Sequence, residues 1–245
     1  MTRTKILLLL PLALAVTFGS ASRLEAVVLD LDSFANGTEI SGNIVSPLVS
    51  IDSSDGAGVA IFDTDPNGPN SIVVPPCQGQ DLDLLVDQGN LLIVQNFECP
   101  DQTVPGVFDA PNDNVGGTID FGFTTAVMMT SIDLADINGN SATDVLLTDD
   151  MGLTRTYSVP NEWTGDLAFA TLDLTTLMPQ SGPGPGGDAT AMEDAGFNAS
   201  SVISMSIAFS GSGGVNNIIF IPEPSTPWLG LLGSLGLAGL IRKRR

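Results

Sequence analysis

Between residues 27 and 221 the apolar side chains recur with a period of two, and almost nowhere with the longer period of a helix. In Thr118-Ile119-Asp120-Phe121-Gly122-Phe123 the set Ile119, Phe121 and Phe123 alternates with small or polar residues, as a strand with one buried face requires. Similar segments lie at 27–32, 58–62, 90–95, 127–134, 144–148, 153–159, 167–172, 202–209 and 215–221. Gly, Asn, Asp and Pro punctuate them, giving about ten strands. One short helix is expected, over 192–201. Short strands without intervening helices predict an all-β domain, and their irregular spacing with long loops favours a jelly-roll-like β-sandwich. Residues 63–81 read as a long ordered loop and 179–188, rich in Gly and Pro, as a flexible excursion. No repeat or linker divides the stretch, so residues 23–220 form one domain, large enough for a sizeable core.

Both ends of the chain are different in kind. Arg3 and Lys5 precede an apolar run over 6–18, and Gly19-Ser20-Ala21-Ser22 offers the small residues of a cleavage site. Residues 1–22 are therefore a secretory signal peptide, cut by signal peptidase after Ala21 or Ser22. At the other end, Pro222-Glu223-Pro224 leads through Ser225-Thr226-Pro227 into an apolar run over 228–241, closed by Arg242-Lys243-Arg244-Arg245. The prolines end the folded domain, and the terminal cations hold the hydrophobic helix at the inner face of a membrane. A permanent single-pass anchor is the plainer alternative. A 14-residue run spans about 21 Å as a helix, short of a hydrocarbon core of about 30 Å.

This tail, residues 221–245, resembles the PEP-CTERM sorting signal of exported bacterial proteins, with Pro222, Glu223 and Pro224 at the motif positions and Ile221 where Val is common. The resemblance implies removal of the tail by an exosortase. It implies a precursor tethered to the inner membrane through the C-terminal helix, then a product in the cell envelope or extracellular matrix. The domain itself looks like a jelly-roll module related to galactose-binding-like domains. The residues that carry this likeness are Ala60-Ile61-Phe62-Asp63-Thr64, Asp81-Leu82-Asp83-Leu84 and the stretches 89–93, 112–121, 131–137 and 209–217.

Charge narrows the partners. Of 8 basic residues only Arg23 and Arg155 lie outside the two terminal segments, whereas almost all of the 28 acids do. Such a surface repels phosphate, so nucleic acid is excluded, and it attracts cations. The chain has no His, which removes the usual general base and the usual zinc ligand. Cys77 and Cys99, exported into an oxidising setting, read as a disulfide. Closing their loop stabilises by roughly 3.4 kcal/mol in the chain-entropy view.

Two arrays have the oxygen ligands that Ca²⁺ takes. Asp136, Asn138 and Asn140 alternate and Asp144 follows, although Ser141 replaces the turn glycine of an EF-hand loop and Leu147 its last acid. The same residues also read as an Asn-Gly hairpin turn. Asp63, Asp65 and Asn67 form the second array, with Asp81 and Asp83 as a complement, and turn chemistry alone accounts for it equally well. Asn112-Asp113-Asn114 and Asp149-Asp150 read as solvated loop residues. Paired Asp carboxylates suffice in principle for a polysaccharide hydrolase. With so many acids a qualifying pair carries no information, and Tyr157 and Trp163 are too few for a sugar-stacking cleft. No catalytic residue is assigned. The expectation is a non-catalytic surface or matrix protein associated with exopolysaccharide or biofilm, with Ca²⁺ as its cofactor, and a secreted hydrolase as the alternative.

Overall fold

The computed structural model describes residues 25–54, 57–72, 77, 81–113, 116–139 and 142–223. The signal-peptide segment, Asn140, Pro224 and the hydrophobic tail lie outside them. The described chain is nearly all β. Its strands are β1 (Val27–Val28), β2 (Glu39–Ile40), β3 (Gly42–Ser46), β4 (Val49–Ser53), β5 (Val59–Asp63), β6 (Asn90–Val94), β7 (Gly117–Ala135), β8 (Thr143–Asp149), β9 (Thr154–Val159), β10 (Phe169–Asp173), β11 (Thr190–Glu193), β12 (Val202–Phe209) and β13 (Gly214–Pro222). Two single 3₁₀ turns, Pro69–Ser71 and Leu82–Leu84, are the only helical pieces among the described residues.

Every pairing is antiparallel, and one hydrogen-bonded path runs β11-β9-β8-β12-β7-β13-β6-β5-β2. β7 organises it. Along one edge it pairs first with β12 and then with β10; along the other, first with β4 and then with β13. The two halves of β7 do not lie in one plane. Phe123 and Phe220 have ring centroids 5.4 Å apart, yet Phe220 is paired with Met129, further along β7. Six residues of straight strand would span about 20 Å, so β7 folds back on itself. The fold is visible in the β12 ladder, where the partner of Val202 is Val127 but that of Ser204 is Gly122. The surplus residues, including exposed Thr124 and Thr125, are thrown out as a corner.

Both arms of β7 face one core. Ile119, Phe121, Val127 and Met129 of β7 meet Met205 and Ile207 of β12, Val145 and Leu147 of β8, and Val215 and Ile218 of β13. A smaller cluster, Ala60, Phe62, Leu84, Leu91, Ile93 and Phe108, covers the opposite face of β5 and β6. These two strands are therefore buried on both faces, which explains why Ala60-Ile61-Phe62 and Leu91-Leu92-Ile93 are continuous apolar runs.

Two expectations are corrected. Residues 192–201 hold no helix: Thr190–Glu193 is strand β11, laid along β9, and a turn follows. Nor is 179–188 a loose excursion. Gly184 and Gly186 donate their N–H groups to the carbonyls of Trp163 and Glu162 at 2.9 Å each. A Cβ at Gly182, Gly184 or Gly186 would run into the carbonyl oxygens of Trp163, Glu162 and Asn161. The Gly-Pro alternation is thus a flat ribbon pressed on the segment that carries Trp163, whose indole donates to Gln180 O at 3.0 Å.

Candidate functional site

Where β7 ends and β13 begins, three carboxylates from distant parts of the chain are buried together. Asp81 precedes the Leu82–Leu84 turn, Asp113 lies a few residues before β7 and Asp136 follows it, with 5%, 1% and 0% of their surface exposed. The Asp113 N–H donates to Asp81 Oδ2 at 3.0 Å. The Ser212 hydroxyl lies 3.0 Å from Asp113 Oδ2 and 2.8 Å from Asp136 Oδ2, and Gly213 N–H also donates to Asp113. On the outer side, Asn138 Nδ2 donates to Asp136 Oδ1 and Asp166 Oδ1, both at 2.6 Å. Positive φ at Asp136, 57°, turns the chain sharply out of β7 and aims this carboxylate inward.

Burial and mutual repulsion raise the proton affinity of this group. Desolvation lifts Asp81 to about 6 despite the hydrogen bond from Asp113. Asp136 rises to about 7, first by burial, against the Ser212 hydrogen bond and with help from Asp83, Asp166 and Asp81. Asp113 is pushed well above the usual carboxylate range by burial and by Asp81, and Asp83 is raised mainly by burial. A buried cluster of this kind has two ways to be stable at neutral pH: it holds protons or it takes a cation. Among the described residues no three acids are already gathered around one point as an ion requires. An ion entering here would compete with protons for these oxygens.

The segment leading to Asp113 is held rigidly. Cys77 and Cys99 form the expected disulfide. Beside it Gln95 donates to Cys99 O at 2.8 Å and Ala110 O at 3.1 Å, and accepts from Asn112 N at 3.2 Å. Asn112 in turn donates to Cys77 O and accepts from Asn96. Gln95, Asn96 and Asn112 are all buried.

The structure regroups the residues expected from sequence. Asp136 and Asn138 come together, but Asp144 is exposed on β8, opposite Ser158 and Ala208, and takes no part. The Asn-Gly turn also fails to make a hairpin, because β8 pairs with β9 and β12 and not with β7. Asp63, Asp65 and Asn67 form successive local turns: Asp63 Oδ1 accepts from Asp65 N at 3.0 Å and Asp65 Oδ1 from Asn67 N at 2.8 Å. Asp81 turns instead to Asp113. Neither Asp113 nor Asp149 is a solvated loop residue, since both are buried. Asp113, Asp166 and Ser212 were not legible as site residues, because nothing in their spacing along the chain marks them. The close acid pair, Asp81 and Asp113, is shut away from solvent, whereas the open hollows are lined by such residues as Asp30, Asp32 and Asn216, or Asp101 and Asp109.

At the other end of β13 lies the sorting junction. Pro222 is the last residue of the strand, opposite Val127, and Glu223 N–H still bonds Ala126 O at 2.9 Å. The motif begins on the last rung of the sheet with no spacer. Residues 220–245 match the PEP-CTERM protein-sorting motif. This motif implies an exported protein processed by an exosortase from a membrane-anchored precursor. No curated protein matches the chain significantly. No helix among the described residues is long and apolar enough to cross a membrane, and the run over 228–241 lies outside them.

Proposed function

We propose that the chain is the precursor of a non-catalytic cell-surface or extracellular-matrix protein. Signal peptidase removes residues 1–22 and an exosortase removes the tail, leaving residues 23–220 as a jelly-roll-like β-sandwich of the galactose-binding-like kind, associated with exopolysaccharide or biofilm. The observation that carries this reading is the sorting motif at 220–245, placed where the last strand ends. The antiparallel sheet with both arms of β7 on one core supports the sandwich. The sealing of Asp81 and Asp113 from solvent supports a non-catalytic role over hydrolysis by paired carboxylates. Replacing Pro222 and Pro224 by Ala in the native host should leave a larger, membrane-retained species on a gel. Unchanged processing would overturn the assignment.

The second component of the proposal is Ca²⁺, held on the outer side of the cluster by Asp136 and Asn138 together with exposed Asp166, where it would bridge to anionic polysaccharide. The supporting observation is the convergence of hard oxygen ligands in a domain rich in acids. Millimolar Ca²⁺ should raise the melting temperature in a concentration-dependent way, by linkage. The Asp136→Asn variant should lose the shift. A melting temperature indifferent to Ca²⁺ would overturn the cation reading of the cluster.

A further inference from the structure

The sorting motif and the acid cluster sit at opposite ends of one strand, and this gives the domain a direction. Glu223 is fixed by its bond to Ala126, within the corner of β7. Five links of chain separate it from Trp228, where the apolar run begins. Fully extended, they reach at most about 17 Å. The polar layer on each side of a bilayer takes up roughly 5–7 Å of that reach. While the tail is in the membrane, the corner is therefore confined to the membrane surface. The segment before β1 leaves on the same side, since Val27 pairs antiparallel with Phe220.

The chemistry of the corner suits that position. Two turns border the Glu223 rung, and Thr124 N–H joins them by donating to Leu48 O at 2.9 Å. Pro47-Leu48 and Thr124-Thr125-Ala126 carry no charge; the acids near them are Glu223 itself, Glu25 two residues before β1, and Asp149 and Asp150, which lie across Val202, the residue paired with both Val127 and Asp149. Elsewhere the surface is acidic, so an orientation that lays the sheet flat on anionic headgroups is opposed by charge. β13 runs from this corner to Gly214, about 25 Å at strand rise, and there it meets Ser212, Asp113 and Asp136.

We propose that in the precursor the domain stands on the corner formed by Pro47-Leu48 and Thr124-Thr125-Ala126, with the bilayer surface as the partner of that corner and the Asp81–Asp113–Asp136 end turned outward. The inference rests on the tail reading above. It deepens that reading by assigning which face meets the membrane and which meets the exterior.

The test uses the full chain, reconstituted into phosphatidylcholine vesicles that contain a headgroup-labelled acceptor lipid. A donor dye is placed on Thr125→Cys or, at the far end, on Ala142→Cys, with the native disulfide kept oxidised. Both variants should float with the vesicles, and energy transfer from position 125 should exceed that from 142 at least twofold. Flotation with equal or reversed transfer overturns the orientation alone. Failure to float overturns the membrane-tail reading and the orientation with it.

Discussion

Arg155 is the one cation in the sequence between Arg23 and the basic tail, and the fold buries it. Its guanidinium holds Glu193 Oε2 at 2.6 Å, donates to Leu174 O at 3.1 Å and lies 4.8 Å from the Phe197 ring centroid. It ties β9 to β11 and leaves the described surface without a positive charge. Asp149 plays the complementary part for an anion. Burial alone would raise its pKa, but N–H groups of Asn198, Leu153, Met151 and Gly152 favour the charged form and hold it below the usual range. A carboxylate whose folded pKa is depressed contributes stability above its unfolded pKa of about 3.9, and that contribution is lost as pH falls through the folded value. Melting curves between pH 5 and 2, at points about half a unit apart, should therefore show a steep acid loss in the native protein. Asp149→Asn should be less stable at neutral pH and lose less on acidification. Parallel acid limbs would show that Asp149 is not the titrating group. Neither residue announced its role, because Glu193, the ion partner of Arg155, is 38 positions away and Asn198, which joins the local N–H groups around Asp149, is 49 away.

At the scale of elements, legibility followed burial geometry. β8, β9, β12 and β13 present one buried face, so their alternation survives in the sequence within a residue or so of the observed ends. β7 was read as two strands, since Thr124-Thr125-Ala126 interrupts the apolar alternation. The backbone ladder continues through that break and bends there. β2, β3 and β4 escaped notice because Gly, Ser, Asn and Asp dilute their short patterns. β11 was misjudged for a different reason. Ala191, Met192 and Glu193 are good helix formers, but the register with Thr156 and Arg155 outweighs that weak preference. The Gly-Pro ribbon gives a direct test of close approach. Gly184→Ala would push a methyl against the Glu162 carbonyl. Overpacking of this kind costs about 1–3 kcal/mol, so the melting temperature should fall by roughly 2–12 °C for a domain of this size. An unchanged melting temperature would mean that the ribbon yields freely.

For the molecule as a whole, targeting was legible and the site only in part. The sorting tail is a local signal, complete within residues 220–245. The acid cluster is assembled from Asp81, Asp113, Asp136 and Asp166, which only the topology of β7 and β13 brings together, and Asp136 was the sole member flagged in the right company. The placement of β13 has a temporal consequence as well. The last strand to emerge from the export channel is an inner one, paired with β7 on one side and with β1 and β6 on the other. No complete core can form before residue 222 has crossed. On the tail reading proposed above, the apolar run follows directly behind, so the core would close while the precursor is tethered to the membrane.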